Sequence, residues 1–341
     1  MHRRTRRHTA RHEDRPGERP ARAARPVLRH LRRRAVGALI LAAACWGAGT
    51  AVSKQAVAQV PPLTLLPTQL AVSLALLLVV SRLQGVRLPA GREGRRLGRL
   101  GLLNPGIAYA LSLLGLTQIT ASLSVLLWAI EPILILVLAV LALRERAGPT
   151  LVVLSGIAIG GLTLVLYDPG ASGAPVGVAL TVAGVGCCAL YTVATRRWLP
   201  QVGSTLGVIV AQEAYALGFA LVLLVGATAT GISPTPVGLT VGGVVSTIAS
   251  GLLYYGLAYW CYLTGLRFVP ASIAAVAFYL IPVFGVAAAA MLGDRLGLLQ
   301  WVGAAIVVAS VATLTIRVAR DRAAVKPASH EQAAAGDSRA S

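Results

Sequence analysis

A carboxylate interrupts an apolar run in the stretch LLWAIEPILILVL, residues 126–138. Ionisable residues at membrane depth are costly and usually mark a functional pathway. Ser124, Trp128 and Glu131 are separated by four and three residues, so they share one face of a helix. A hydroxyl, an aromatic ring and a carboxylate on one stripe predict the wall of a polar cavity. The alternative is that a neighbouring helix satisfies the glutamate.

Two kinds of chemistry suit the carboxyl group of Glu131. A carboxyl that is neutral when dry and ionised when water enters can carry a proton, and an ionised one can bind an amine. Pro132 follows directly and removes a helical hydrogen bond, and Pro282 does the same near the aromatic Phe278. We interpret the prolines as paired kinks around one cavity lined in part by Phe278. Static kinks that only shape the bundle are the alternative.

Four more residues are candidates for the same site. Glu213 is the other acid within an apolar run, and it either binds a cation or proton or bridges two helices. Lys54 lies near the outer end of the first run and either extends to the interface or binds an anionic group. Tyr109 and Tyr259 either line a cavity or serve as packing and interfacial anchors.

Two acids stand at the ends of apolar runs, each beside an arginine. They are Glu145 and Asp294. We expect a structural role for both, in which the carboxylate fixes the turn into the next helix by local pairing or capping.

Membrane helices must position these residues, because the composition is that of a multi-pass membrane protein. Of 341 residues, 56% are hydrophobic and 13% are charged, against about 25% charged in soluble domains. Apolar segments of about 20 residues recur, the length that crosses a hydrocarbon core. We predict an all-α polytopic membrane protein with ten transmembrane helices. The predicted spans are 36–57, 62–81, 99–117, 120–142, 149–167, 176–195, 205–226, 237–265, 270–291 and 296–316.

Basic residues are distributed unevenly between the two ends of these helices. With the N-terminus inside, 29 of 31 lysines and arginines lie on the cytoplasmic side, and only Lys54 and Arg295 lie opposite. This bias predicts cytoplasmic N- and C-termini in the plasma (inner) membrane. The net charge of +19 does not indicate nucleic-acid binding. Residues 1–35 hold 13 of the basic residues but no Phe, Tyr or Trp to stack on bases, so they predict a disordered tail near anionic lipid.

Metal and histidine chemistry are not expected. The cysteines Cys45, Cys187, Cys188 and Cys261 lie in apolar runs without metal-ligand spacing, and we interpret them as packing residues. All five histidines lie in the terminal tails. No P-loop for binding a nucleotide is present. We therefore expect no cofactor, no metal and no enzymatic activity.

The two halves of the sequence repeat. LTQITASLSVLLWAIEPILI from Leu116 aligns with LRFVPASIAAVAFYLIPVFG from Leu266 at a constant offset of 150 residues. Five helices per half is an odd number, so the second copy must be inverted in the membrane. Inverted repeats are typical of transporters, with a substrate site near the midplane between the copies. The matched pairs include Trp128 with Phe278, Pro132 with Pro282, and Tyr109 with Tyr259.

Short motifs run through both halves in order. They are Trp46-Gly47, Lys54, Ala121-Ser122, Pro132, Leu143-Arg144-Glu145, Ala271-Ser272, Pro282, Gly293-Asp294-Arg295, Gln300 and Gly303. Over residues 36–316 the set resembles the drug/metabolite transporter superfamily, in particular the EamA-type transporters with ten helices. The chain departs from many relatives at Thr68-Gln69, where they carry an arginine and an aromatic residue, and at Asp294, where they carry a glutamate.

The resemblance implies a secondary active transporter driven by a gradient rather than by ATP. The expected activity is export of small metabolites, amino-acid-like or drug-like, by alternating access, with protons as the candidate coupling ion. The expected partners are a small-molecule solute and membrane lipids. A passive uniporter or channel-like facilitator is the alternative, and a membrane-embedded lipid-modifying enzyme is the third, against which the scattered acids argue. The predicted organisation is a tail over 1–35, repeats over 36–167 and 176–316, and a disordered cytoplasmic tail over 317–341.

Overall fold

The structure is a computed structural model of the chain. It describes residues 18–116, 118–119, 127–128, 130–145, 148–165, 173–201, 203–231, 240–291, 297–314 and 316–317. For residues 18–33 and a few other helical positions, among them Lys54, the description covers the backbone alone.

Helices dominate the described residues, which confirms the all-α prediction. The only β-type pairing in this part of the chain is a single bridge between Ile119 and Gly173. The helices are α1 (Glu18–Val57), α2 (Pro62–Leu83), α3 (Gly91–Gly101), α4 (Ala108–Leu116), α5 (Glu131–Leu143), α6 (Pro149–Val165), α7 (Pro175–Trp198), α8 (Thr205–Ala229), α9 (Val241–Gly251), α10 (Ala258–Leu266), α11 (Ala271–Val276), α12 (Leu280–Met291) and α13 (Leu298–Leu314).

The length and apolarity of these helices suit a membrane. Among the described residues, five segments are long and apolar enough to cross it, and four shorter apolar helices accompany them. With α3 and α4 taken together, these segments correspond to the ten predicted spans. Large apolar side chains such as Val222 and Leu141 are 74% and 72% exposed, which suits a surface that faces lipid.

Two helices begin earlier than predicted. Helix α1 starts at Glu18, before the predicted first span, which begins at residue 36. Alanine, arginine and leucine are good helix formers, and they extend an existing helix without a new nucleation step. Helix α3 starts at Gly91 and not at 99. Its Leu97 is buried while the neighbouring arginines are exposed, an amphipathic pattern that a search for purely apolar runs misses.

The helical geometry changes at the same place in both halves. The break between α3 and α4 spans Leu102–Ile107, where Asn104 is extended with φ −148° and ψ 123°. In the second half a π-helical turn over Leu252–Leu257 joins α9 and α10, which form one apolar span, Val241–Leu266. The bounds of both helix pairs differ by 150 residues throughout, so the sequence repeat is also a structural repeat.

The two repeats interlock through close helix crossings. Helix α3 packs on α8 and α9 packs on α2. At the first crossing a Cβ on Gly101 would collide with the backbone of Gln212, and at the second a Cβ on Gly251 would collide with that of Gln69. Likewise α4 packs on α7 and α10 packs on α1. Each half therefore packs its helices against the other half.

Candidate functional site

Glu131 and Pro132 lie in the first turn of helix α5. The helix begins at Glu131, so the proline falls where no hydrogen-bonded N–H is required. Residues 120–126 and 129 of the predicted span 120–142 lie outside the described residues, so the kink at Pro132 stays a prediction. Pro282 has the matching position, because α12 begins at Leu280 after a 3₁₀ turn over Ala277–Tyr279. Both prolines therefore lie in the first turn of a helical segment.

The carboxyl group of Glu131 is enclosed by the bundle. Its residue is 9% exposed, and α5 packs against α7 and α11. Glu131 lies within electrostatic range of Cys188, Tyr254 and Tyr262. No described residue donates a hydrogen bond to its carboxylate. A buried carboxyl group needs a proton, a water molecule, a ligand group or a hydrogen-bond donor to offset its desolvation.

Aromatic rings from both repeats gather beside Glu131 in one continuous group, which we call the aromatic cluster. Tyr109 contacts Trp128 with ring centroids 5.7 Å apart, and it contacts Tyr255 at 5.8 Å. Tyr255 stacks on Tyr259 at 6.2 Å, and Trp46 meets Tyr259 edge-on at 5.3 Å. The members of the cluster are Trp46, Tyr109, Trp128, Tyr191, Tyr254, Tyr255, Tyr259, Tyr262 and Phe278.

The tyrosine hydroxyls of the cluster are held in fixed orientations. Tyr109 Oη donates to Tyr254 Oη at 2.7 Å, so this hydrogen bond joins the two repeats. Three other hydroxyls of the cluster also donate across helices. Tyr259 Oη donates to Asn104 Oδ1 at 2.9 Å, Tyr262 Oη to Thr192 Oγ1 at 2.8 Å, and Tyr191 Oη to Gln212 Oε1 at 2.8 Å.

A second carboxyl group lies on another side of the cluster. Glu213 in α8 is 1% exposed and lies within electrostatic range of Tyr191 and Tyr255. Ser73 Oγ in α2 donates to Glu213 Oε2 at 2.8 Å. The other oxygen, Oε1, is buried without a hydrogen-bond partner among the described residues. Glu213 therefore bridges α2 and α8 and keeps one acceptor position free.

The structure brings five predicted site residues into contact or close proximity: Glu131, Trp128, Tyr109, Tyr259 and Phe278. Lys54 lies in the last turns of α1, and its side chain is not described. Ser124 and Asp294 lie outside the described residues.

Several cluster members had no place in the predicted site. They are Trp46, Tyr191, Tyr254, Tyr255 and Tyr262. One signal was available in the sequence, since Tyr255, Tyr259 and Tyr262 are spaced by four and three residues and share a helical face. Tyr254 was hidden because its repeat partner is Asn104, which is not aromatic.

No metal centre accompanies this site in the part of the chain that the structure describes. Groups of three or more His, Cys, Asp or Glu side chains that could hold a metal ion do not occur there. Cys45, Cys187, Cys188 and Cys261 are free thiols, two of them fully buried.

Apolar helices packed around interior carboxyl groups and tyrosines define an integral, multi-pass membrane protein. A family model, the EamA-like transporter family, matches residues 33–167 and 175–316. The chain therefore belongs to the EamA-like transporter family. A solved crystal structure with 19% sequence identity superposes with a TM-score of 0.73, over 85% of this chain and 99% of that chain, which shows a common fold. None of the curated proteins matches the sequence.

Proposed function

We propose that this protein is a secondary active transporter that exports a small solute, amino-acid-like or drug-like, across the plasma (inner) membrane by alternating access. Membership of a transporter family supports the activity. One observation carries the site assignment. Glu131 is a buried carboxyl group beside the aromatic cluster, and no described residue hydrogen-bonds it.

The charge of the site favours a cationic group or a proton as the species bound by Glu131. The site combines the carboxyl groups of Glu131 and Glu213 with the aromatic cluster, whose tyrosine and tryptophan ring faces attract cations. The cation–π contacts of the described arginines lie elsewhere, with Arg96 on Trp198 and Arg267 near Phe268. An amino-acid-like solute would place its amine at Glu131.

Glu131→Gln tests which of the two species is bound. The substitution keeps the shape of the side chain and removes its titration. In proteoliposomes, a coupling role predicts that the variant loses transport driven by a pH gradient but retains solute exchange. A role in binding an amine predicts that both modes weaken together.

Glu93→Gln is the matched control, because Glu93 is an exposed carboxylate in the first turn of α3. It should leave both modes unchanged. Wild-type uptake with unchanged pH dependence in Glu131→Gln would return Glu131 to a structural role and remove the basis of the proposed site.

Coupled transport is distinguished from passive flux by accumulation. A coupled carrier concentrates its solute against a gradient, and a protonophore abolishes this if protons are the coupling ion. A uniporter on the same fold only equilibrates the solute.

A further inference from the structure

The two repeats are joined by a carboxylate contact far from the aromatic cluster. Glu145, just after α5, accepts a hydrogen bond from Ala271 N at 2.9 Å and from Ser272 N at 3.0 Å. Its Oε2 also accepts from Ser272 Oγ at 2.5 Å. We call this set of three hydrogen bonds the Glu145 clasp. It was expected to fix the turn into the next helix of the same repeat, but it holds a helix 126 residues away.

The end of α5 is shaped to present this carboxylate. Arg144 adopts a left-handed conformation with φ 54° and ψ 34°, which ends the helix. The backbone N–H of Glu145 donates to Ala139 O at 3.1 Å and closes the last turn of the helix. The side chain of Glu145 extends from this turn to α11. A left-handed conformation is unfavourable for a residue other than glycine, and its presence indicates that the surrounding contacts fix it.

The clasp and Glu131 lie at opposite ends of one helix. Helix α5 has 13 residues, which at about 1.5 Å each separate the two glutamates by about 20 Å. The helical segment that the clasp holds continues towards Phe278 of the aromatic cluster. Since α5 packs directly on α11, the clasp closes the space between the two helices at their predicted cytoplasmic ends.

A basic residue of α7 also lies near Glu145. Arg196, near the end of α7, lies within electrostatic range of Glu145. Its Nε is buried without a hydrogen-bond partner among the described residues. The guanidinium of α7 therefore offers the carboxylate a partner once it has left α11, as a switch between two arrangements requires.

We propose that the Glu145 clasp is the latch that closes the pathway at the predicted cytoplasmic end, and that it opens once in each transport cycle. This inference rests on the proposed function, since a latch has a role only if the site alternates between two sides. Glu145 is a positioning residue, because it acts on access to the site and does not touch the solute.

The test uses Cys188 as a reporter of access. Cys188 is a free thiol, 2% exposed, and lies within electrostatic range of Glu131. In a chain whose other cysteines are alanine, inside-out vesicles are treated with a membrane-impermeant maleimide. Glu145→Gln should speed the labelling of Cys188 from this side by about tenfold, because a hydrogen bond to a charged group stabilises the closed state by an amount of this order.

Three further measurements separate a latch from a structural contact. Ser272→Ala removes one of the three hydrogen bonds and should give a smaller increase, while Glu93→Gln should give none. The affinity of Glu145→Gln for a transported solute should stay at the wild-type value while the turnover of active transport falls several-fold. A loss of folded protein or an equal loss of affinity would overturn the latch.

Cross-linking tests the latch in the opposite sense, because a covalent bond replaces the three hydrogen bonds. The double variant Glu145→Cys and Ser272→Cys, joined by a short bifunctional maleimide, should bind solute but not turn over. Continued transport by the cross-linked protein, or unchanged labelling of Cys188 in Glu145→Gln, would refute the latch while leaving the transporter assignment intact. If Glu145→Gln speeds the labelling of Cys188 but the wild-type protein transports no solute, the proposed function is refuted instead.

Discussion

At the scale of single residues, the position of each buried acid explains why it is tolerated. Glu131 lies in the first turn of α5, where the positive end of the helix dipole favours negative charge. Pro132 fits there because the first turn needs no N–H from it. Glu213 is stabilised differently, by the hydroxyl of Ser73. The chain therefore places one acid at a helix start and the other at a helix crossing.

Arg144 predicts a measurable effect of backbone strain. Its φ of 54° disfavours any residue with a Cβ, so Arg144→Gly should stabilise the protein by about 1 kcal/mol. Gly85 has a φ of 61° and no atom within 4 Å of an added Cβ. Gly85→Ala should therefore destabilise by about the same amount, through the backbone alone.

Thermal unfolding in detergent measures both effects. The melting temperature should rise for Arg144→Gly and fall for Gly85→Ala. A fall for Arg144→Gly would mean that its side chain contributes more than the strain removes.

At the scale of helices, glycines set the distance between crossing elements. A Cβ on Gly47 of α1 would lie 2.6 Å from Gly285 N of α12. A Cβ on Gly303 of α13 would lie 2.5 Å from Gly161 O of α6. Close backbone approach replaces the hydrophobic effect as the source of helix association within lipid. The family motifs that contain Gly47 and Gly303 are therefore explained by packing.

The crossing of α6 and α13 contains its own control. Gly303→Ala should destabilise the protein by about 1–3 kcal/mol through overpacking. Gly160, next to Gly161 on α6, has no atom within 4 Å of an added Cβ. Gly160→Ala should therefore be neutral or stabilise by about 0.5–1 kcal/mol through helix propensity. Melting temperatures of the two variants test this, and equal losses would show that overpacking at the crossing is not the cause.

Apolar length and the repeat offset were sufficient to predict the helices, but not their ends or breaks. The spans near α2, α6 and α7 agree with the structure within three residues because lipid-facing helices are continuously apolar. The predicted span at α3 began too late, because the arginines between its buried residues lower the apolar content of the first turns. The repeat pairs Trp128 with Phe278, and the structure places both rings in the aromatic cluster. Tyr254 and Glu145 act through partners in the other repeat, and a single sequence does not reveal such distant contacts.

At the scale of the whole molecule, contacts of three kinds join the two repeats. The Gly101 and Gly251 crossings, the Tyr109–Tyr254 hydrogen bond and the Glu145 clasp all join one half to the other. The crossings are backbone contacts, whereas the clasp depends on a single side chain. Movement of one half against the other would therefore break the clasp more readily than the crossings.

The orientation of the molecule in the membrane is the last prediction. Because 29 of 31 basic residues lie on one predicted side, and positive loops stay in the cytoplasm, both termini should be cytoplasmic. Reporter fusions after Pro169 and Thr230 should report from outside, and one after Gly91 should report from inside. Since the two repeats have an odd number of helices each, the same pattern requires the second to be inverted relative to the first. A cytoplasmic signal from the fusion after Pro169 would contradict both the orientation and the inversion, because it would leave the first repeat with an even number of crossings.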